Sequence, residues 1–309
     1  MDIDQNYIDY FEKCLDPVKP ENSELPFEIL GYGEISSIFR MEKYNDIAFK
    51  RLPVFPDRES AESYRNQYFE YTGHLEKAGI NLPEDDIFIT HVPGRPYILY
   101  VAQQLFSPDS FCSRQISIFS EAQIVEMLEK VIDAIKRVQV YNEKSMPGIE
   151  IAVDAQLSNW TWPVENGKRK LYLIDTSTPF YRIQGHEQLD VKLLLKSMPF
   201  IIRLFISLIN LDEVVARYYD LRIVFIDIIG NLIKEQSSDL IPLFIDIVNK
   251  TLEEDFKIEP VSKKEVESYY QNDKRIWMAF STLRRVDRFM TGKILGKRYE
   301  FLLPGKVKR

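Results

Sequence analysis

Residues 151–180 read IAVDAQLSNWTWPVENGKRKLYLIDTSTPF, and this stretch decides the fold. Two apolar, strand-like runs flank Asn166-Gly167, which is the strongest short-range signal for a β-hairpin. A hairpin brings its two ends together, so Asn159 and Asp175 should lie close, with Asp154 on the loop just before them. Carboxylate and amide oxygens can hold Mg²⁺ and orient a hydroxyl group, as phosphoryl transfer requires. The hairpin therefore predicts half of such a site, and the other half must bind a nucleotide.

A nucleotide-binding half is predicted near the start of the chain. One strand-like run ends at Gly31-Tyr32-Gly33, and a later run over residues 46–52 carries Lys50, with Pro53 and Pro56 expected to end that strand. Glycines let backbone N–H groups approach phosphates closely, and a lysine can reach the phosphate oxygens. Two glycines at this spacing are more often only a hairpin. The lysine that follows makes the nucleotide interpretation more informative.

The next segments complete a five-stranded antiparallel sheet with one long helix. Residues 57–77 are predicted to be helical, with Asp57 as the N-cap. Two further strand-like runs follow, joined by a turn at residues 93–96. The helix offers three glutamates that could pair with Lys50, although glutamates on such a helix are usually solvated. They are Glu59, Glu62 and Glu70.

The composition changes beyond Gln104. Ser120 is expected to cap a long helix, and after Phe180 the chain is predicted to be helical again. The later helices are predicted at residues 188–210, 212–234, 238–253 and 263–289. The fold class is therefore α+β. One unit spans residues 1–104, with a leading helix and loop over 1–24, and a mostly helical unit that contains the hairpin spans 105–309.

Composition indicates a well-packed globular protein, because 45% of the 309 residues are hydrophobic and 13% aromatic. Cys14 and Cys112 are far apart and fit no metal-ligand spacing, so we expect reduced thiols. The N-terminal stretch is acidic and lacks a signal-peptide pattern. The most apolar run, residues 198–211, is too short to cross a bilayer and contains Arg203. These features predict a cytoplasmic protein with no membrane partner.

The net charge of −7 is unevenly distributed along the chain. Residues 271–309 hold eleven Lys or Arg against three acids, or +8, which leaves −15 for the residues before them. A basic end of this kind can meet phosphate or an acidic surface. The alternative is a solvated helix and tail that neutralise an acidic body. No pattern indicates a nucleic-acid partner.

The order of these motifs resembles the protein-kinase-like superfamily, and most closely its aminoglycoside/choline phosphotransferase branch. The matching order is a glycine turn between two strands, Lys50 in IAFK, a helix glutamate, a hinge, a long helix, Asp154 followed five residues later by Asn159, and a hairpin that ends at Asp175. The resemblance covers residues 27–180 and weakens beyond them. It implies a bilobal protein-kinase-like fold, with the sheet in an N-terminal lobe and the hairpin in a helical C-terminal lobe.

The resemblance also implies ATP and Mg²⁺ as cofactors and a role for each matching residue. Lys50 would hold the α- and β-phosphates and would be steadied by Glu70 or, failing that, by Glu62. Other residues would cover the phosphates from the glycine turn or would form a hinge beside the adenine. The turn residues are Gly31, Gly33, Ser36 and Ser37, and the hinge residues are Gln103, Gln104 and Leu105.

The hairpin residues take the chemical roles in this resemblance. Asp154 would be the catalytic base, Asn159 a metal ligand and Asp175 the principal Mg²⁺ ligand. Two departures from the family pattern stand out. Ala152-Val153 precedes Asp154 where a histidine is usual, and Thr176-Ser177 follows Asp175 in place of Phe-Gly. The chain also has no A-P-E segment and little room for an activation loop, which argues against an ordinary protein kinase.

Structural interpretations of the same residues stay open. Asp154 and Asp175 would then be caps, Asn159 a turn former and Lys50 an exposed strand residue. Three functions remain as hypotheses: a phosphotransferase acting on a hydroxyl of a small molecule, an atypical protein kinase with a protein substrate, and a non-catalytic kinase-like module that binds a nucleotide or a protein. The first is favoured because a helical C-terminal part can wall a small pocket.

Overall fold

A computed structural model describes residues 1–33, 36–144, 148–189 and 211–303. Most of the predicted helix at 188–210 and two residues of the glycine turn, Glu34 and Ile35, lie outside these ranges. The α-helices are α1 (Gln5–Cys14), α2 (Arg58–Lys77), α3 (Cys112–Gln115), α4 (Glu121–Lys144), α5 (Leu211–Ala216), α6 (Leu221–Lys234), α7 (Ile241–Thr251) and α8 (Lys263–Phe289). Within the described ranges, none of the helices is both long and apolar enough to cross a membrane.

In the described part of the chain, the strands form one five-stranded sheet and three small ones. The large sheet has five strands with antiparallel neighbours, as predicted, and its strand order is β1-β2-β3-β5-β4. The strands are β1 (Phe27–Tyr32), β2 (Ser37–Met41), β3 (Ile47–Phe55), β4 (Asp85–His91), β5 (Tyr97–Gln104), β6 (Ile149–Ile151), β7 (Trp160–Thr161), β8 (Val164–Glu165), β9 (Lys168–Arg169), β10 (Tyr172–Leu173), β11 (Tyr181–Ile183) and β12 (His186–Glu187).

The prediction that Pro53 ends the third strand is wrong, because β3 continues to Phe55. The pairing of β3 with β5 shifts register between Leu52 and Phe55. Proline cannot donate a ladder hydrogen bond, and an irregularity of this kind is where a strand tolerates it. The extra residues carry the strand to the start of α2.

The two faces of the large sheet pack against different parts of the chain. On one face, α1 packs Phe11 against Phe39, with their ring centroids 5.4 Å apart. Phe49 and Arg51 of β3 are fully buried, and both belong to this face because side chains alternate along a strand. Lys50 lies between them in sequence and therefore points to the opposite face. That face packs against α2 and opens onto the helical part of the chain.

The hairpin and the later helices share a second core. Asn166 and Gly167 both adopt positive φ, 51° and 77°, which is the primed turn that an Asn-Gly pair favours. Trp160 and Trp162 are 1% and 2% exposed and pack in this core. Helices α4, α6 and α7 enclose it. The hairpin is thus held rigidly at the base of the candidate site.

The end of the chain returns to the large sheet. Tyr299 and Phe301 pack with α2, while Leu302 packs with α1 on the other face. Between them, the backbone oxygen of Glu300 accepts a hydrogen bond from Arg51 at 2.6 Å. The predicted units, 1–104 and 105–309, did not anticipate that the end of the chain packs on the sheet. Helix α8 leads into it, so the helix spans the distance from the helical core to the sheet.

Candidate functional site

An ion pair joins the sheet to the hairpin. Lys50 Nζ lies 2.7 Å from Asp175 Oδ1, although 125 residues separate the two in sequence. Burial alone would raise the pKa of Asp175, but the Lys50 ammonium and hydrogen bonds from Ser177 outweigh it and hold the pKa below its usual value. The carboxylate is therefore ionised at neutral pH. A lysine can bind phosphate oxygens and a carboxylate can bind Mg²⁺, so the two groups together are compatible with metal-assisted phosphate chemistry.

The hairpin brings Asn159 and Asp175 together, as predicted. The Ile174 backbone N–H donates to the Asn159 backbone oxygen at 2.9 Å, which places the two residues side by side across the hairpin. The Asn159 side-chain amide donates to the backbone oxygen of Asp154 at 3.1 Å. Asp154 lies on the loop that follows β6, and its neighbour Ala152 is held by a bond to the Phe180 backbone. All three polar residues therefore face one space.

Asn159 and Asp175 have the donor chemistry for Mg²⁺. The hydrogen bonds to Asp175 from Lys50 and Ser177 all end on Oδ1. Because the Asn159 side chain donates through its nitrogen, its oxygen remains suited to a cation. One carboxylate and one amide are few ligands. Mg²⁺ commonly binds through one or two protein groups plus water and substrate phosphates. Within the described residues, no group of three or more His, Cys, Asp or Glu side chains is arranged so that it could hold a metal ion.

The glycine turn is closed by a short-range hydrogen bond. The Gly33 N–H donates to the Ser36 backbone oxygen at 3.1 Å. A Cβ atom at Gly33 would lie 2.5 Å from the Ser36 hydroxyl oxygen, so a larger residue here would require the Ser36 side chain to move. Ser36 and Ser37 are 5% and 2% exposed. These serines hold the turn from inside and do not reach the cavity wall, which differs from their implied role beside the phosphates.

A cavity of about 660 Å³ lies between the sheet and the hairpin. Its volume is in the range of small-molecule and cofactor sites. Nine of the twelve predicted site residues line it, and the three that do not are Ser36, Ser37 and Glu70. The nine are Gly31, Gly33, Lys50, Gln103, Gln104, Leu105, Asp154, Asn159 and Asp175.

The predicted pairing of Lys50 with a helix glutamate is not what the structure shows. Glu70 accepts a hydrogen bond from the Tyr181 hydroxyl at 3.0 Å, and Glu62 pairs with Arg58 at 2.8 Å. A helix turns by 3.6 residues, and on α2 the sheet side carries a row of tyrosines while these glutamates lie off it. Lys50 pairs with Asp175 instead.

Tyrosine hydroxyls on α2 reach the segment after Asp175. The Tyr64 hydroxyl donates to the Ser177 backbone oxygen. The Tyr68 hydroxyl lies 2.9 Å from the Thr176 hydroxyl and also donates to Asp85. These contacts connect α2 to the hairpin end without any charged pair. The tyrosine spacing was visible in the sequence as an apolar stripe, and that stripe was the signal for which side of α2 faces the site.

Two of the three predicted hinge residues use their backbone N–H groups in bonds within the protein. The N–H of Gln104 donates to the Glu84 oxygen at 2.9 Å, and the N–H of Leu105 donates to the Asp46 oxygen at 2.8 Å. Neither group can donate to a base without breaking a bond within the protein. A nucleobase in this end of the cavity would therefore need a hydrogen-bond donor other than these two N–H groups.

Helix α8 supplies a cavity wall that no sequence motif identified. Arg284 is 6% exposed, and its Nη1 donates to the Gly33 backbone oxygen at 3.2 Å. Its guanidinium also lies 5.5 Å from the ring centre of Phe301. The basic composition of residues 271–309 was the only sequence signal for this role. The lining side chains of α8 are Asp273, Trp277, Phe280, Ser281, Arg284 and Arg285.

A second, smaller cavity of about 180 Å³ adjoins the first. Both cavities are lined by Asp154, Gln156, Tyr218 and Asp273. In the smaller one, burial raises the pKa of Asp227 to about 6, and the nearby Asp273 carboxylate adds to the shift. Asp154 therefore stands at the junction of a large cavity and a small one.

Comparison with known proteins adds a family but no activity. No curated protein matches the chain. A solved structure described as WaaP in complex with acyl carrier protein matches over 73% of this chain and 89% of that chain, with 14% identity and a TM-score of 0.33. A TM-score this low does not establish a shared fold. The model of DUF6206, a family of unknown function, matches residues 19–288, and the chain therefore belongs to that family.

Proposed function

We propose that the protein is an ATP- and Mg²⁺-dependent phosphotransferase that acts on a hydroxyl group of a small molecule. The observation that carries the proposal is the Lys50–Asp175 ion pair in the wall of a cavity that also contains Asp154 and Asn159. These residues come from two distant parts of the chain and meet at one place. The proposal includes a bilobal kinase-like arrangement, with residues 1–104 as the nucleotide lobe and 105–309 as the catalytic lobe.

Each residue then has a task. The glycine turn and Lys50 bind the phosphates of ATP, while Asn159 and Asp175 hold Mg²⁺, which neutralises charge that develops on the phosphate oxygens. Asp154 orients the acceptor hydroxyl and accepts its proton. The acceptor oxygen forms a bond to the γ-phosphorus, and the bond from that phosphorus to the β–γ bridging oxygen breaks. The products are a phosphate ester and ADP.

The small cavity favours a small acceptor over a protein chain. An engineered cavity of about 150 Å³ can hold benzene, so this one, at about 180 Å³, has room for a group of roughly that size beside Asp154. Every residue needed for the base and the metal lines the cavities, which weighs against a non-catalytic module.

The cysteines Cys14 and Cys112 are both free thiols, which suits the reducing cytoplasm.

The test has two readouts. Mg·ATP should raise the melting temperature in a thermal unfolding experiment, because a ligand that binds only the native state stabilises that state. The stabilisation is about 2.7 kcal/mol when the ligand concentration is a hundred times Kd. A screen of small alcohols with ATP should then find one that yields ADP and a phosphate ester. Asp154→Asn should keep the thermal shift and lose the transfer, while Asp175→Asn should lose both.

Lys168→Ala is the matched control, because Lys168 is exposed at the far end of the hairpin. It should behave like the wild type in both readouts. If Mg·ATP gives no thermal shift and no ADP forms with any acceptor, the proposal is wrong. A thermal shift that survives Asp175→Asn would also contradict it, since the nucleotide would then bind elsewhere.

A further inference from the structure

The end of helix α8 exposes a row of large apolar side chains. Positions 286, 289, 290 and 294 follow helical spacing, so they lie on one side of the chain. The same helix turns its opposite side inward, where Arg284 and Asp287 are 6% and 3% exposed. The exposed side chains, with their exposed fractions, are Val286 (45%), Phe289 (59%), Met290 (37%), Ile294 (58%) and Leu295 (60%).

Cations surround this row. No acidic residue occurs between Asp287 and Glu300 in the sequence. Lys293 and Lys297 are exposed, and Arg288 is partly exposed. This is the opposite sign from the rest of the chain, which carries a net −15 before residue 271. We call residues 286–297, with their apolar row and these cations, the basic apolar tip.

The tip is ordered and not a loose end, because a π-helical turn over Met290–Ile294 continues directly from α8. The Leu295 N–H donates to the Met290 oxygen at 3.0 Å, and the Lys297 N–H donates to the Thr291 oxygen at 2.9 Å. Buried residues hold the chain on both sides of it, since Arg284 is 6% exposed before the tip and Tyr299 is 2% exposed after it. The fold therefore holds apolar side chains out in water at a fixed position.

We propose that the basic apolar tip docks the protein onto a membrane surface that carries anionic lipids. Apolar side chains would enter the boundary between headgroups and acyl chains, while the lysines and Arg288 would meet lipid phosphates. The charge of the tip complements such a surface. A membrane also fits its size, because the tip has about a dozen residues, whereas a standard protein interface uses about 20–30 on each side.

This inference is independent of the proposed phosphotransferase activity. It also changes the expectation of no membrane partner, which rested on the lack of a spanning segment. A peripheral contact needs no spanning helix. Only the exposure of each side chain, which the sequence does not give, identifies the tip as a surface.

Vesicle flotation tests the proposal. The full chain should float with vesicles of phosphatidylcholine mixed with phosphatidylglycerol and should stay behind with phosphatidylcholine alone. Added salt should weaken the binding, because it screens the contribution of the cations. The double variant Ile294→Asp/Leu295→Asp should lower the bound fraction at least tenfold, and Lys293→Glu/Lys297→Glu should do the same.

Ile118→Asp is the matched control, because Ile118 is 69% exposed but lies outside the tip. It should bind the anionic vesicles like the wild type. Circular dichroism melting checks that each variant is folded, and the Mg·ATP thermal shift is measured in parallel as a separate readout. The proposal is overturned if wild type and tip variants float equally. It is also overturned if the wild type binds neither kind of vesicle. In that case the tip would have another partner, such as a second copy of the chain or an acidic protein.

Discussion

Nη1 of Arg284 donates to the backbone oxygen of Gly33 across 3.2 Å, and this bond joins the last helix to the glycine turn. The two residues are 251 positions apart in sequence. Within the described residues, the pairing of β1 with β2 and the bond from the Gly33 N–H to the Ser36 oxygen also support the turn. The bond from Arg284 adds a contact from α8 to the same turn.

We expect Arg284→Gln to weaken binding of Mg·ATP about tenfold, equivalent to about 1.4 kcal/mol, because the glycine turn loses its anchor and the cavity loses a cation. Arg284→Lys keeps the charge and should recover part of the loss. Isothermal titration calorimetry measures the affinity. Arg288→Gln on the same helix is the control, since Arg288 does not line the cavity. A folded Arg284→Gln protein with wild-type affinity would refute this role.

Tyrosine hydroxyls on α2 give a second prediction. Tyr64→Phe removes the donor to the Ser177 oxygen, and a buried acceptor left without its partner costs about 1–3 kcal/mol. The Ser177 hydroxyl in turn donates to Asp175 at 2.9 Å, so the affinity for Mg·ATP should fall as well. Urea unfolding and calorimetric titration measure the two effects.

Glu70→Gln and Glu62→Gln are the comparisons for that experiment. Neither glutamate contacts Lys50, so both variants should bind Mg·ATP like the wild type. A large loss of affinity in either one would restore the original expectation of a lysine–glutamate pair. It would mean that α2 rotates when nucleotide binds.

The parts of the fold that sequence predicted are those set by local pattern. Asn166-Gly167 fixes a primed turn by itself, so the hairpin and the meeting of Asn159 with Asp175 could be foreseen. Strand-like runs separated by turn residues likewise predicted the five strands. The partner of Lys50 could not be foreseen in this way, because several glutamates on α2 have acceptable spacing and only the rotation of the helix chooses among them.

The contributions of the C-terminal part were out of reach for a different reason. Arg284 and Glu300 act through contacts with residues more than two hundred positions earlier. No local pattern encodes such a contact. The sequence showed only that this end of the chain is basic. Which cations face the cavity, and which face solvent at the tip, follows from tertiary packing.

A buried ionic network at the back of the sheet gives a third prediction. Glu12 of α1 is fully buried and pairs with Arg51 at 2.7 Å and with Arg95, while Glu300 joins the same arginines. Glu12→Gln should lower the free energy of unfolding by about 3–5 kcal/mol, since it leaves buried arginine charge without its partner. Urea unfolding at neutral pH measures the loss.

The exposed pair of Glu28 and Arg40 is the control for that loss. Glu28→Gln should cost less than about 1 kcal/mol. Burial alone would raise the pKa of Glu12, but pairing with Arg51 and Arg95 outweighs burial and lowers it. The stabilisation from the Glu12 carboxylate is therefore fully present above the pKa of the unfolded state. It is lost as the pH falls through the pKa of the folded state. The difference in free energy of unfolding between the wild type and Glu12→Gln should therefore become smaller at acidic pH. Equal losses for Glu12→Gln and Glu28→Gln would contradict the network's role.

Asp227 in the small cavity should make stability fall as pH rises. Its folded pKa of about 6 lies above the ordinary value of 3.8, because burial and Asp273 disfavour the charge. The folded state therefore binds the proton more tightly than the unfolded state, and the wild type loses stability as pH rises from about 4 to about 6. Asp227→Asn cannot ionise and should lack this loss.

Between about pH 4.5 and about pH 7.5, the free energy of unfolding of Asp227→Asn should rise relative to that of the wild type. The expected change is on the order of 1 kcal/mol after allowance for partial exposure. Urea midpoints at the two pH values measure the change. Asp239→Asn, at an exposed position, should track the wild type at both. Parallel curves for Asp227→Asn and the wild type would show that this carboxyl group ionises normally. A cationic ligand in the small cavity would lower the pKa of Asp227, so the same pH dependence gives a direct assay for occupancy beside Asp154.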